Sequence, residues 1–286
     1  MENGHLDEQR KFIDKWQMHI LLSRRTVPDL HLPHTALWSK EALHSFCEDY
    51  RCLYIKPTDT WGGQAIARIQ QVQGHWIVKS PSDEPILLSS VEEIWNVLNP
   101  RYQTKTIIQQ CAPVASWMGR PLDIRALLQR DESDRWIWSG MLVRIGGENS
   151  VVSNVQVSFG NVQPPNQILP HILKSRALYP QVVEKIQTIS YALCSKLDEI
   201  HFFEEVGIDY GVGGNGDLWL FEVNTNDALG GPSHELFAQL QDRRLYDEIE
   251  ARWRSRQMNV ARELWKDLFH SAEADNTSDA SSLGDL

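Results

Sequence analysis

The sequence has no long apolar run. No stretch approaches the roughly 18 consecutive apolar residues of a membrane-spanning helix, so no membrane partner is expected. Its start, Met1-Glu2-Asn3-Gly4-His5, lacks a basic segment followed by an apolar one, and no signal peptide is visible. A basic excess is missing too. The formal net charge of -10 argues against a nucleic-acid partner, which needs a basic footprint, yet leaves room for a local basic cleft. Cysteine is scarce: Cys47, Cys52, Cys111 and Cys194 show no metal-ligand spacing and are expected to be reduced core thiols of a cytoplasmic protein. Repeats of solenoid length are absent.

What is present is globular. The 286 residues, 42% hydrophobic and 23% charged, suffice for a real core in one large domain or two small ones. Phe12, Trp16 and Ile20 recur at four-residue steps and predict an amphipathic helix over Asp7 to Leu22. Pro28 and Pro33 mark a connector. Ser39 reads as the N-cap of a helix to Asp49, with Trp38 and Leu43 as a hydrophobic staple. Cys52 to Ile55 is a short strand before Pro57. Ala65 to Val72 and His75 to Lys79 form a hairpin turning at Gln73-Gly74, and Ser90 to Glu93 is a capping box. Strands are expected over Lys105 to Gln110, Asp123 to Arg130 and Arg135 to Arg144. The proline-rich stretch Asn161 to Pro170 reads as a loop. Val182 to Ile200 reads as a long helix, and the chain beyond the next hairpin as helical to about His270, with a disordered acidic tail from Ser271. Strand runs alternating with isolated helices predict an α+β fold of two small lobes.

The segment Gly207 to Asn224 carries the most chemistry. Gly214-Asn215-Gly216-Asp217 is a strong turn signal. A four-residue loop pairs Gly213 with Leu218 and Asp209 with Glu222. Ile208, Tyr210 and Val212 then share a face with Trp219, Phe221 and Val223. The other face carries Asp209, Glu222 and Asn224. Two carboxylates beside an amide oxygen form a hard-oxygen set whose repulsion a divalent cation resolves, and magnesium suits it. A solvated acidic face is the competing reading.

Cations lie upstream. Lys56 ends a strand before Pro57-Thr58-Asp59-Thr60-Trp61-Gly62-Gly63, where adjacent glycines let backbone N–H groups approach phosphate oxygens. The P-loop spacing is absent, and alone this loop reads as an ordinary turn. Asp123 and Arg125, two apart on a strand, share a face: an ion pair on a sheet, or part of a site. If the next strand pairs alongside, Arg144 joins Arg125 in a clamp for a transferring phosphoryl group.

In order, these segments resemble the ATP-grasp superfamily over about Asp14 to Asn224. Asp14-Lys15 with Leu32-Pro33-His34-Thr35 resembles the opening of its nucleotide-binding region. Tyr54-Ile55-Lys56-Pro57 with Gly62-Gly63 resembles the second lysine and phosphate loop, and Ile108-Gln109-Gln110 the hinge strand that meets adenine. Gly119-Arg120-Pro121-Leu122-Asp123-Ile124-Arg125, Arg144 and Asn154 resemble the ribosomal-protein glutamate ligases. Gly207-Ile208-Asp209 with Glu222-Val223-Asn224 resembles the metal-binding end. Within the superfamily the chain is most similar to the YheC/YheD-type, endospore coat-associated branch.

The resemblance implies two α+β lobes with ATP between them. It divides the chain into an N-terminal helical segment (1–50), a small nucleotide-binding lobe (51–112), a metal-binding lobe (113–232), a helical extension (233–270) and the tail (271–286). It implies ATP and Mg²⁺ as cofactors, with Lys15, Lys56, Thr58, Gly62, Gly63, Gln109, Gln110, Asp123 and Asn154 around the nucleotide. Arg125 and Arg144 would be catalytic, and Asp209, Glu222 and Asn224 would hold the metal. The reaction implied joins a carboxylate to an amine, of an amino acid or peptide, through an acylphosphate. A cytoplasmic protein is implied, with a spore association in this branch.

Departures mark the alternatives. Few residues precede Asp14, where relatives carry a further lobe, so substrate contacts from that lobe are expected from elsewhere or not at all. Gly62-Gly63-Gln64-Ala65 stands where a basic residue and another glycine are common. Val155 to Gly160 stands where relatives tend to have an arginine and a glycine pair. These departures keep open a nucleotide-binding coat or scaffold protein without chemistry. A metal-dependent hydrolase without nucleotide leaves Lys15, Lys56 and the hinge unused.

Overall fold

The computed structural model describes residues 14–24, 26–59, 65–81, 83–103, 105–225 and 232–280. Its elements begin with α1 (Lys15–Arg24), β1 (Leu30–His31), β2 (Thr35–Leu37), α2 (Lys40–Asp49) and β3 (Cys52–Pro57). They continue with β4 (Ala67–Val72), β5 (His75–Lys79), β6 (Ile86–Leu88), α3 (Val91–Leu98) and β7 (Thr106–Gln110). Next come β8 (Ser116–Trp117), β9 (Arg120–Arg130), β10 (Trp136–Ile145), α4 (Val155–Ser158), β11 (Asn161–Gln163) and α5 (Pro165–Ile172). The chain then forms α6 (Leu178–Leu197), β12 (Glu205–Val212), β13 (Leu218–Thr225), a 3-10 helix (Ser233–Gln239) and α7 (Arg244–Ala280).

The fold is α+β, with two sheets. The first has the order β2-β7-β3-β4-β5-β6, antiparallel throughout. Leu53 and Ile55 of β3 point into a core with Ile69, Val78 and Ile108, roofed by α2 and α3 through Leu43, Phe46, Ile94 and Leu98. Ser39 caps α2, its Oγ accepting from Ala42 N at 3.1 Å. Ser90 caps α3, and Glu93 reaches back to accept from Ser89 N at 2.8 Å, a near variant of the capping box. The β4–β5 hairpin turns through Gln73 and Gly74, both with positive φ (51 and 83), as a two-residue turn of that hand requires.

The second sheet has the order β1-β13-β12-β9-β10-β11, with β8 beside β9. Its two faces differ. Leu122, Ile124, Ala126 and Leu128 of β9 enter the largest core, with α1, α5 and α6 packed on it. Asp123, Arg125, Leu127 and Gln129 alternate onto the other face. There Leu127 packs with Phe237, Leu240 and Ile249, which brings the 3-10 helix and α7 onto the sheet. Gly207 allows this approach: a Cβ there would meet Ser233 Cβ at 2.9 Å and Arg125 Cδ at 3.2 Å.

Several sequence expectations change. The stretch Asn161 to Pro170 is not a loop: Asn161–Gln163 pairs with β10, and α5 begins at Pro165, where a missing N–H costs nothing. Helix α7 continues through Ser271 to Ala280, with Ala272, Glu273 and Ala274 as good helix formers. The expected helix over Asp7 to Leu22 is present as Lys15–Arg24, its earlier part lying outside the described residues. The cysteines are not all thiols: Cys52 and Cys111 form a disulfide across β3 and the end of β7, while Cys47 and Cys194 are free and buried. A sequence separation of 59 concealed that pairing.

The metal hairpin holds a bulge. Asp209 pairs with Glu222 as expected, but Val212, not Gly213, pairs with Leu218. Tyr210 faces Leu220, so Phe221 is the extra residue. The bulge turns Leu218 and Leu220 into the core and leaves Trp219 and Phe221 half-buried on the other side, reversing their expected placement. Phe221 packs against Gly211, where a Cβ would lie 2.4 Å from its ring.

Candidate active site

The two sheets face each other across a cleft of about 530 Å³. From the first sheet, alternation sends Cys52, Tyr54 and Lys56 of β3 into it, with Arg68 of β4 and Gln109 of β7 beside them. The second sheet contributes Asp123 and Arg125 of β9, Arg144 of β10, Asp209 of β12, and Phe221, Glu222 and Asn224 of β13. Lys15 enters from the first turn of α1, which Asp14 caps by accepting from Gln17 N at 2.8 Å.

Register explains the charges. Asp209 lies opposite Arg125 and Asp123 opposite Arg144, so opposite charges meet directly across these strands, whereas Glu222 lies opposite Asp209 as a like-charge pair. Arg144 grips Asp123 through both carboxylate oxygens at 2.6 Å and reaches Asp209 Oδ2 at 2.7 Å. Arg125 Nη2 donates to Asp209 Oδ2 at 3.1 Å, while its Nε donates to Oδ1. Asn224 Nδ2 donates to Asp209 Oδ2 at 3.2 Å, and Ser153 Oγ donates to Asp123. Burial raises the pKa of Asp123, Arg144 opposing and Asp209 reinforcing the rise. For Asp209 burial is outweighed by Arg125 and Arg144, which hold its carboxyl below the usual range. Arg144 is held charged, its two aspartates outweighing burial.

Lys56 Nζ donates to Gln109 Oε1 at 2.6 Å, and Gln109 Nε2 donates to Thr35 Oγ1 at 2.9 Å. Burial pushes Lys56 down to about 8, Glu222 opposing and Lys15 adding to the shift. Lys15 pairs with Glu222 at 3.1 Å. Five cations (Lys15, Lys56, Arg68, Arg125 and Arg144) face three carboxylates (Asp123, Asp209 and Glu222) on the cleft wall. That surplus of positive charge lies inside a chain of net charge -10 and suits an anionic ligand.

Most sequence-predicted residues meet here. Lys15, Lys56, Gln109, Gln110, Asp123, Arg125, Arg144, Asn154, Asp209, Glu222 and Asn224 all line the cleft. Asn154 also caps α4, its Oδ1 accepting from Val157 N at 3.2 Å. Thr58 is buried and does not line the cleft; its backbone O accepts from Lys15 N and its N donates to Lys105 O. Gly62 and Gly63 lie outside the described residues. Arg68, Tyr54 and Phe221 line the cleft without having been singled out. Tyr54 and Arg68 are a register pair of β3 and β4, so strand alternation from Lys56 would have found Tyr54, and the pairing Arg68.

Two lobes of α+β structure meeting over a cation-rich cleft define the ATP-grasp class. The chain belongs to the YheC/D-like ATP-grasp family, whose pattern matches residues 7–253. It is 27% identical over 240 residues to the endospore coat-associated protein YheD of Bacillus subtilis, covering 79% of this chain and 50% of that one. It is 20% identical over 229 residues to the endospore coat-associated protein YheC of the same organism, covering 74% and 59%. The chain thus spans half to three-fifths of the length of these curated relatives. A crystal structure of the ADP complex of purK, N5-carboxyaminoimidazole ribonucleotide synthetase, is similar at 10% identity and a TM-score of 0.44, covering 74% of this chain and 44% of that one. No helix among the described residues is long and apolar enough to cross a membrane.

Proposed function

We propose that the chain is an ATP- and magnesium-dependent carboxylate–amine ligase. The observation that carries this is the five-to-three surplus of cations over carboxylates lining one cleft, with the carboxylates gathered on the second sheet. Lys15 and Lys56 would neutralise the nucleotide phosphates. The hinge from Gln109 to Val114 would take the base, with Tyr54 and Phe221 as flanking rings. Arg125 and Arg144 would meet charge developing on the transferring phosphoryl group. A carboxylate substrate would take that group to become an acylphosphate, and an amine would displace it as phosphate.

The donor set fits magnesium, with carboxylate and amide oxygens and no sulfur or imidazole. Glu222 would hold the ion, with Asn224 through Oδ1, since Nδ2 faces Asp209. Asp209 divides its oxygens among Arg125, Arg144 and Asn224 and would join the set only with one of these bonds given up. When bound, the ion supplies charge neutralisation for the phosphates.

The same pairing supports a second reading. Both arginines are committed to aspartates, which suits a nucleotide-binding scaffold without turnover. Phosphate release from ATP, screened with amino acids and short peptides as carboxylate and amine, separates the two. Release that requires both co-substrates supports the ligase. Saturable ATP binding with no release for any pair overturns it in favour of the scaffold.

A further inference from the structure

We infer that Cys52 and Cys111 are a reversible thiol–disulfide site that sets the nucleotide affinity of the cleft. The inference rests on the nucleotide-binding reading of that cleft. Both residues are half-buried and line it, with Cα atoms 5.3 Å apart. The other two cysteines contrast. Cys47 and Cys194 are buried, and burial pushes the Cys47 thiol up to about 12 and Cys194 higher still. Reagents that enter the cleft therefore meet only the first pair. Half-buried beside a cavity, this bond is open to thiol exchange, the setting of labile rather than structural disulfides.

Position gives the pair its leverage. Cys52, Tyr54 and Lys56 alternate on one face of β3, and Gln109 and Cys111 on the facing strand. The bridge thus closes one end of a ladder whose other end is the Lys56–Gln109 hydrogen bond. Cys111 is followed by Ala112, Pro113 and Val114, which also line the cleft, so its sulfur lies where the hinge would meet a base.

Oxidation transfers two electrons and balances simply. Two thiols and a small-molecule disulfide give the protein disulfide and two small-molecule thiols, each protein sulfur losing its proton. Reduction reverses this and separates the sulfurs. Bonded sulfurs lie about 2.0 Å apart, whereas unbonded heavy atoms settle at about 3.5–4.0 Å. The backbone does not supply that space, because Cys111 N donates to Cys52 O at 3.0 Å and β3 and β7 stay paired through five register pairs. One thiol must rotate, and both line the cleft. The reduced protein therefore has a narrower base slot and a weaker nucleotide affinity. The loss expected from one displaced or off-rotamer side chain is about three- to tenfold.

The test titrates full-length protein with a non-hydrolysable ATP analogue and Mg²⁺ after equilibration in oxidised or reduced glutathione. Non-reducing intact mass reports the bond in each sample. The expected result is a bond in oxidised glutathione and three- to tenfold tighter binding than in reduced. Cys52→Ser and Cys111→Ser should each bind like the reduced protein in both buffers. Equal affinity with the bond present and absent overturns the inference while leaving nucleotide binding intact. Failure of the bond to form in oxidised glutathione also overturns it. Absence of nucleotide binding in both states instead defeats the nucleotide reading itself.

Discussion

One face of the second sheet carries two buried polar networks, and they are built differently. At one end of β9 and β12, Asp123, Arg125 and Asp209 open onto the cleft. At the other, Gln129 and Glu205 are sealed beneath the 3-10 helix and α7. There His234 lies between two carboxylates, Nδ1 to Glu205 at 2.6 Å and Nε2 to Glu250 at 2.8 Å. Arg252 Nη1 and Ser139 Oγ complete that network at 2.9 Å. Leu127 and Gly207 separate the ends. The sealed network closes on itself, with a cation placed between its acids. The open one balances two arginines against two aspartates and faces a cavity into which Lys15, Lys56 and Arg68 add further positive charge. Buried charge that is satisfied internally holds structure together, whereas buried charge left in surplus beside a cavity is poised for a ligand.

The largest effect should come from breaking the open network. Arg125→Ala is expected to lower turnover by about a hundredfold or more while nucleotide affinity stays within a few-fold, since a group that acts on developing charge affects kcat. Steady-state and binding measurements on one preparation check this, and equal losses in both would contradict it. In the sealed network, His234→Ala leaves two carboxylates unneutralised and should cost about 3–5 kcal/mol in denaturant melts without changing nucleotide affinity. A change in affinity there would merge the two networks into one.

The next effect is on the metal. Glu222→Gln keeps shape and one oxygen but removes a charge, and it should weaken magnesium-dependent nucleotide binding about tenfold with the melting temperature unchanged. If the hairpin is a solvated acidic face instead, the change relieves repulsion and affinity does not fall.

The smallest effects are in pH, and they have opposite signs. The folded pKa of Lys56 is lowered from 10.5 to about 8. Between those values the unfolded chain holds more protons, so this residue's contribution to stability rises with pH, while affinity for phosphate falls as its charge is lost. His234 is raised from 6.5: burial lowers it, but Glu205 and Glu250 outweigh that. Its contribution is fully present below 6.5 and lost as pH rises through the folded value. Melts of wild type, Lys56→Met and His234→Gln across pH 5 to 10 should separate the two slopes. Parallel slopes would contradict the assignment.

Much of this was legible in the sequence because it obeys short periods. Ser39 and Ser90 announced their helices, Gln73-Gly74 its turn, and Asp209 and Glu222 their shared face. What was hidden depends on contacts distant in sequence or on a single irregularity. Nothing in Leu218 to Asn224 signals that Phe221 is an extra residue, since the bulge is selected by packing on Gly211. Asp123 and Arg125 left two readings open, an ion pair or part of a site, and in the fold each pairs with a different strand because side chains two apart point alongside, not at, each other. Arg68 and the Cys52–Cys111 bond required the order of β4, β3 and β7.

The central claim is that the open network and the lysines above it hold a nucleotide. Calorimetric titration of the full chain with ATP and Mg²⁺, beside Lys56→Ala, tests it most directly. The expected result is saturable one-site binding by the wild type, weakened in the variant at an unchanged fold. A flat isotherm for the wild type at millimolar ATP and Mg²⁺, in either redox state, would contradict it.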